Sequence, residues 1–253
     1  MKIFKLFGLT LFLGLMVSSV TAQSEAELYK LGMKYKKDVD NKKMFQVFKK
    51  LVGMDSTNAD YQAHLSFAYS KVGANLEDKK LKKKYYAKAK SVAKTAKQLD
   101  SKLAMAYYSY ALALARENEN ASSKEKIANA KEIKSNCDKA LAIDPKLAGA
   151  YHIMGRWHRT FAGFSNFEKT MVNTFFGGTP KGGTYKDALK MFQKAIEVEP
   201  WYMLHVYELA MTYYEMGDKE TAKKYVEKAM KLPQNYEDAK KCYKMCEELK
   251  AKL

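Results

Sequence analysis

Between Thr184 and Pro233 the apolar and small residues fall at helical spacing in two helix-length runs, Ala188-Phe192-Ala195-Pro200 and Leu209-Ala210-Tyr213-Gly217-Ala222-Val226-Ala229-Pro233. Small residues at Ala188, Ala195, Ala222 and Ala229 let paired helices approach closely. Gly217 suits the turn between them, and Pro200 and Pro233 mark helix ends. This is the rhythm of a tetratricopeptide hairpin. The expected fold is an all-α superhelix of about five helix pairs closed by a C-terminal capping helix from Tyr236 to Lys252.

The same register runs backwards through the chain. Leu28, Leu31, Gly32 and Tyr35 fill the first helix of the first unit, and Met44, Phe48 and Leu51 its second. In the second unit Leu65, Ser66 and Tyr69 precede a lysine-rich extension, then Ala89, Ala93 and Ala96, with about 11 residues beyond the 34-residue period. The third unit places Tyr107, Tyr110, Ala111 and Leu114 before a polar loop. Ser122 and Glu125 there form a capping-box pattern, and Ile133, Cys137 and Ala140 follow. An internal duplication supports the register: Asp100 to Tyr107 aligns with Asp144 to Tyr151, and each segment starts a helix. Asp144 is expected to cap the second of these, with Pro145 in its first turn.

The fourth unit starts with Tyr151, Met154 and Gly155, but its second helix waits until Tyr185, about 21 residues later than the repeat requires. Within this insertion, residues 161–183, a Ser165/Glu168 capping box precedes Phe167, Met171 and Phe175, four residues apart. The pattern predicts a short amphipathic helix and a glycine-rich return loop at Gly177-Gly178 and Pro180. Its phenylalanines, Phe176 included, exceed what an exposed loop carries. They pack on neighbouring repeats, or they form a lid or docking surface.

The N-terminus stands apart. Lys2 and Lys5 precede an apolar run from Leu6 to Val20 and a small-residue site at Val20-Thr21-Ala22, the layout of a cleavable export signal over residues 1–22. The run of about 15 apolar residues is shorter than the ~20 that a membrane-spanning helix needs. Residues 23–253 would then form one exported solenoid, periplasmic or secreted, without a transmembrane segment.

Removing Lys2 and Lys5 takes the formal charge from +17 to +15, and all but three of the 45 basic residues are lysines. Nucleic-acid readers favour the forked guanidinium, so a nucleic-acid partner is not expected. Lysine richness fits solvated outer faces, with attraction to anionic partners as a second effect. The densest run, Lys79-Lys80-Leu81-Lys82-Lys83-Lys84, is expected to be a solvated loop and helix start, with a contact to phosphate or anionic lipid as the alternative. Cys137, Cys242 and Cys246 are too few and odd in number for a disulfide framework. The four histidines are scattered, and no P-loop, nucleophile elbow or dinucleotide fingerprint occurs. Neither catalysis, nor a cofactor, nor a metal is expected.

First helices of such repeats line the concave face. The register places Tyr29, Met33, Phe67, Tyr108, Leu112, Arg116, His152, Arg156, Arg159, Tyr207, Met211 and Tyr214 there. Aromatic and methionine side chains offer adaptable apolar area, and all three arginines of the chain suit a carboxylate, a phosphate or an acidic peptide. The competing assignment has the arginines bridging neighbouring repeats.

At Gly155-Arg156-Trp157, Phe176-Gly177-Gly178-Thr179-Pro180, Thr184-Tyr185, Ala188-Leu189 and Ala195 the chain resembles the regulator of microtubule dynamics family. The likeness extends back through Lys126-Ile127 to Asp144-Pro145 and forward to Pro233. The resemblance implies a tetratricopeptide-like domain that acts by binding, in a family whose eukaryotic members associate with microtubules or membrane contact sites. An export signal would separate this chain from cytoplasmic microtubules. The expected role is an exported scaffold that holds a protein or peptide partner, acidic in character. The alternative is a carrier of an anionic lipid or small ligand.

Overall fold

Ser24 opens the first helix: its hydroxyl accepts from the Glu27 amide at 3.2 Å and the Glu27 carboxylate accepts from the Ser24 amide at 2.9 Å. The computed structural model describes residues 24–118, 121, 123–176 and 183–253, without the side chains of residues 123, 124, 167, 171, 175 and 176. The export signal, Ser122 and the return loop at residues 177–182 lie outside the described residues. So do the side chains of the insertion surface Phe167, Met171, Phe175 and Phe176.

Among the described residues the chain is helical, with no strand. The helices are α1 (Glu25–Lys37), α2 (Asn41–Met54), α3 (Ala59–Ala74), α4 (Lys79–Leu99), α5 (Ala104–Glu117), α6 (Ser123–Ile143), α7 (Ala148–Ala162), α8 (Asn166–Phe176), α9 (Tyr185–Val198), α10 (Met203–Glu215), α11 (Lys219–Met230) and α12 (Ala239–Lys250). Five hairpins result: α1/α2, α3/α4, α5/α6, α7/α9 and α10/α11, with α12 packed on the last. The fourth hairpin skips α8, which rests on α6 instead. Ser165 and Glu168 form the expected box at its start, with the serine amide donating to the carboxylate at 2.8 Å.

Small residues set the helix spacing. A Cβ on Gly155 would stand 2.6–2.7 Å from ring atoms of Phe192, which is fully buried, so only glycine lets α7 lie this close to α9. Gly217 has φ +86°, the left-handed conformation that turns α10 into α11. Two details differ from the sequence expectation. Asp144 does not cap α7; its carboxylate accepts from the Lys146 amide at 2.9 Å, while Asp100 does the same for Lys102 at 2.7 Å. Both aspartates therefore shape the turn after the preceding helix, and the helices themselves start behind Leu147 and Leu103 without a side-chain cap. The lysine run is the expected helix start, but no part of it is a loop. Asp78 caps the amides of Lys80 and Leu81, so the run forms the first turns of α4.

The array curls until its ends meet. Lys71 of α3 forms an ion pair with Asp238 at the start of α12, and Tyr202 donates to the same carboxylate at 3.2 Å. Asn75 reaches Glu237 and Asp238 at 3.2 and 3.3 Å, and Glu237 accepts from the Asn41 amide at 2.9 Å. Lys36 of α1 stretches to Met105 of α5 across the ring of Phe67. The inner side of the coil is therefore largely filled by the protein's own side chains.

Candidate functional site

The curl divides the twelve expected groove residues. Tyr29 packs on Phe48, Tyr61 and His64, and Met33 joins the same N-terminal core. Phe67 lies 5.8 Å from the buried Tyr108 ring, and Tyr207, also buried, packs with Met211 and Tyr214 in the C-terminal core. These seven positions do not share one open trough. Four others, Leu112, Arg116, His152 and Arg156, converge on a single cavity of about 710 Å³.

Four helices build that cavity. The end of α5 supplies Leu112, Ala115, Arg116 and Asn118, and the start of α6 supplies Lys126, Ile127, Ala130 and Ile133. From α7 come His152, Ile153, Arg156, Trp157, Thr160 and Phe161. Phe164 and the inserted helix, through Glu168 and Val172, complete the lining. Trp157 fixes the floor: its indole N–H donates to the Ala130 carbonyl at 2.9 Å, tying α7 to α6. At the mouth the Asn129 amide donates to Asn118 at 3.1 Å. The lining is apolar below, with Arg116, Arg156 and Lys126 set against one carboxylate, Glu168, whose pKa is lowered by hydrogen bonds from Ser165.

Arg156 and Arg159 have different fates. Arg159, with 13% of its side chain exposed, is 2.5 Å from the Glu208 carboxylate, donates to the Glu208 carbonyl at 3.0 Å and reaches Glu215 at 3.3 Å. It bridges α7 to α10 and is not among the residues that line the cavity. Arg156 is half exposed, with its nearest carboxylate oxygen, on Glu208, 3.6 Å away. It keeps donors for a guest.

Beside the cavity, His152 and His205 bring their Nδ1 atoms within 3.0 Å, and Nε2 of His205 lies 3.2 Å from Glu199. The carboxylate calls for the proton on Nε2 of His205. In the neutral pair, Nδ1–H of His152 then donates to His205. Burial first, then His205 and the cations Arg156, Arg116 and Arg159, hold the His152 pKa well below 6.5; burial and Lys36 do the same to His64. Both imidazoles stay neutral when folded and take up protons when unfolded, so their share of stability is present above about pH 6.5 and is lost as pH falls below it. The unfolding free energy from urea titrations is expected to drop between pH 7.5 and 5.5, with a slope approaching about 1.4 kcal/mol per pH unit for each imidazole. A flat profile would contradict this.

Sequence reasoning missed His205, Glu199 and Glu208, because their roles depend on contacts between repeats. It also left out the α6 wall of the cavity; the inserted helix was expected to pack, cover the groove or dock, but without Val172 as a lining residue. Among the described residues no three His, Cys, Asp or Glu side chains form a metal cluster. The three thiols are free and buried, and burial raises the pKa of Cys242 to about 12 and of Cys246 to about 11.

Stacked hairpins whose leading helices α3, α5, α7 and α10 touch in series define a tetratricopeptide-type repeat protein, a fold that supports protein or peptide binding. A family profile described as regulator of microtubule dynamics protein 1-3 matches residues 28–253. The chain belongs to that family. Regulator of microtubule dynamics protein 1 of Rattus norvegicus is 36% identical over 118 residues, which cover 46% of this chain and 38% of that protein. Regulator of microtubule dynamics protein 3 of Bos taurus is 27% identical over 196 residues, 77% of this chain and 41% of that one. The chain thus spans about two fifths of the length of these relatives. Among solved structures, a thermophilic TPR protein of Thermus thermophilus superposes with a TM-score of 0.63 at 14% identity, over 90% of this chain and 98% of that one. That likeness shows the fold alone.

Proposed function

We propose that this is a non-catalytic, exported binding protein that seats a peptide segment of a protein partner in the cavity between α5, α6, α7 and α8. The segment carries a bulky apolar side chain flanked by carboxylates. The observation that carries this reading is the joining of an apolar floor, Ile127, Trp157 and Val172, to the half-exposed Arg156 and the neighbouring Arg116 and Lys126 at one opening. An aromatic or aliphatic side chain displaces water from the floor while the cations hold the acids beside it. The fold and family support binding over turnover. Export rests on the leader pattern of residues 1–22 and is checked by sequencing the N-terminus of the processed protein, which should begin at Gln23.

Fluorescence polarisation with a labelled Asp-Glu-Phe-Asp-Glu peptide and its Asn-Gln-Phe-Asn-Gln counterpart tests the proposal. The acidic peptide should bind at least tenfold tighter, and Arg156→Ala should weaken it by about 1.5–3 kcal/mol, the usual worth of a charge-assisted hydrogen bond. Equal affinity for the two peptides, or an unchanged Kd in the variant, would sink it. A second reading, an anionic lipid or small ligand in the same cavity, draws on its volume, which falls within the usual few-hundred Å³ range of small-ligand pockets. Native mass spectrometry of freshly purified protein decides between them: a retained lipid mass favours the second reading.

A further inference from the structure

The lysines that start α4 line no part of the cavity. Helix α4 carries nine lysines and no carboxylate, whereas α6, equally long at 21 residues, mixes five lysines with three acids. Lysines at positions 79 and 83, 80 and 84, and 84 and 88 repel one another one turn apart, and cations at a helix N-terminus oppose its dipole. Both effects weaken the helix, and only the Asp78 cap offsets them locally. Further along, Lys90 pairs with Glu117 and Lys97 bonds Asn136. Lys79, Lys80, Lys83 and Lys84 are exposed and make no ion pair among the described residues.

Apolar groups border this charge. Leu81 is 40% exposed inside the run. One turn on, Tyr85 meets Phe45 and Tyr69 in a half-buried cluster, with centroids 4.8, 5.5 and 6.1 Å apart, and exposed Lys42 and Lys49 flank Phe45 on α2. Unpaired ammonium groups around partly exposed leucine and aromatic rings match the layered chemistry of a bilayer surface, with phosphates outside and acyl chains just beneath. Neither α2 nor α4 carries an arginine whose planar fork would select a shaped anion.

We propose that the α2–α4 edge docks this protein on an anionic phospholipid bilayer, with lysines 79, 80, 83 and 84 on the headgroups and Leu81 at the interface. The surface is separate from the cavity, so docking and peptide capture can fail independently. The test is co-sedimentation of the processed chain, Gln23 onward, with phosphatidylcholine vesicles with and without 30% phosphatidylglycerol. Binding should require the anionic lipid and fall steeply with salt. Each lysine lost should lower the partition coefficient about fivefold. The quadruple variant Lys79→Gln, Lys80→Gln, Lys83→Gln, Lys84→Gln should lose two orders of magnitude or more, and Leu81→Ser should lose several-fold. A control quadruple of equal charge change, Lys223→Gln, Lys224→Gln, Lys240→Gln, Lys241→Gln, replaces exposed lysines on α11 and α12 and should stay within a fewfold of the parent. Equal losses in both quadruples would reduce the effect to net charge and overturn the proposal. So would equal binding to neutral vesicles, or tight binding of polyglutamate with anionic vesicles left unbound.

Discussion

Glu208→Ala is expected to lower the free energy of unfolding by about 3–5 kcal/mol, the cost of stranding one member of a buried ion pair. Glu208 is 5% exposed and holds Arg159 twice, through an ion pair with its carboxylate at 2.5 Å and a hydrogen bond to its backbone carbonyl at 3.0 Å. Without the carboxylate, the Arg159 guanidinium stays over the Phe192 ring with only Glu215, at 3.3 Å and 35% exposed, to neutralise it. Urea unfolding followed by far-UV circular dichroism gives the loss directly. Removing both charges in Arg159→Leu/Glu208→Leu should cost less than Glu208→Ala alone, because no buried charge is then left over. A loss below about 1 kcal/mol in the single variant would mean that water reaches the pair and that α7 and α10 are joined by packing alone.

Trp157→Ala should be of similar size, about 3–5 kcal/mol, for a different reason. The indole is 6% exposed, lies 4.6 Å from the Phe161 ring and 5.0 Å from His158, and donates to the Ala130 carbonyl. Truncation removes the contact area, enlarges the cavity floor and leaves a buried carbonyl without its donor. Trp157→Phe keeps most of the area and should lose only about 1–2 kcal/mol. If thermal and urea unfolding show the two variants equally destabilised, the hydrogen bond and not the packing holds α6 to α7. If both are near wild type, the cavity floor is not part of the cooperative core.

The helices and their pairing were legible because burial in a repeat hairpin imposes a local period. Ala188, Phe192 and Ala195 on α9 and Ala222, Val226 and Ala229 on α11 are fully buried, as their spacing requires. The inserted helix was legible too, since a Ser165/Glu168 box states a helix start within four residues. The site was legible only in part. Arg116, His152 and Arg156 do meet at one cavity, because they sit one turn apart or on neighbouring leading helices. Tyr108 and Tyr207 satisfied the same register but lie inside the coil. How tightly an array curls depends on Lys71 meeting Asp238 and Asn75 meeting Glu237, more than 160 residues away. No local period encodes such distances.

The sequence by itself determined that this protein is a stack of helical hairpins, with an insertion in the fourth and a lysine-rich start to α4, because helix formation, turns and short-range packing are set by neighbours along the chain. Only the tertiary structure decided which leading-helix residues remain open to a guest. It also decided that Arg159 is held against Glu208 while Arg156, 3.6 Å from the same carboxylate, stays half exposed, and that His152 finds His205. Those outcomes follow from the superhelical curl, which sums small rotations over every repeat and is fixed by side chains that meet only once the whole array has closed.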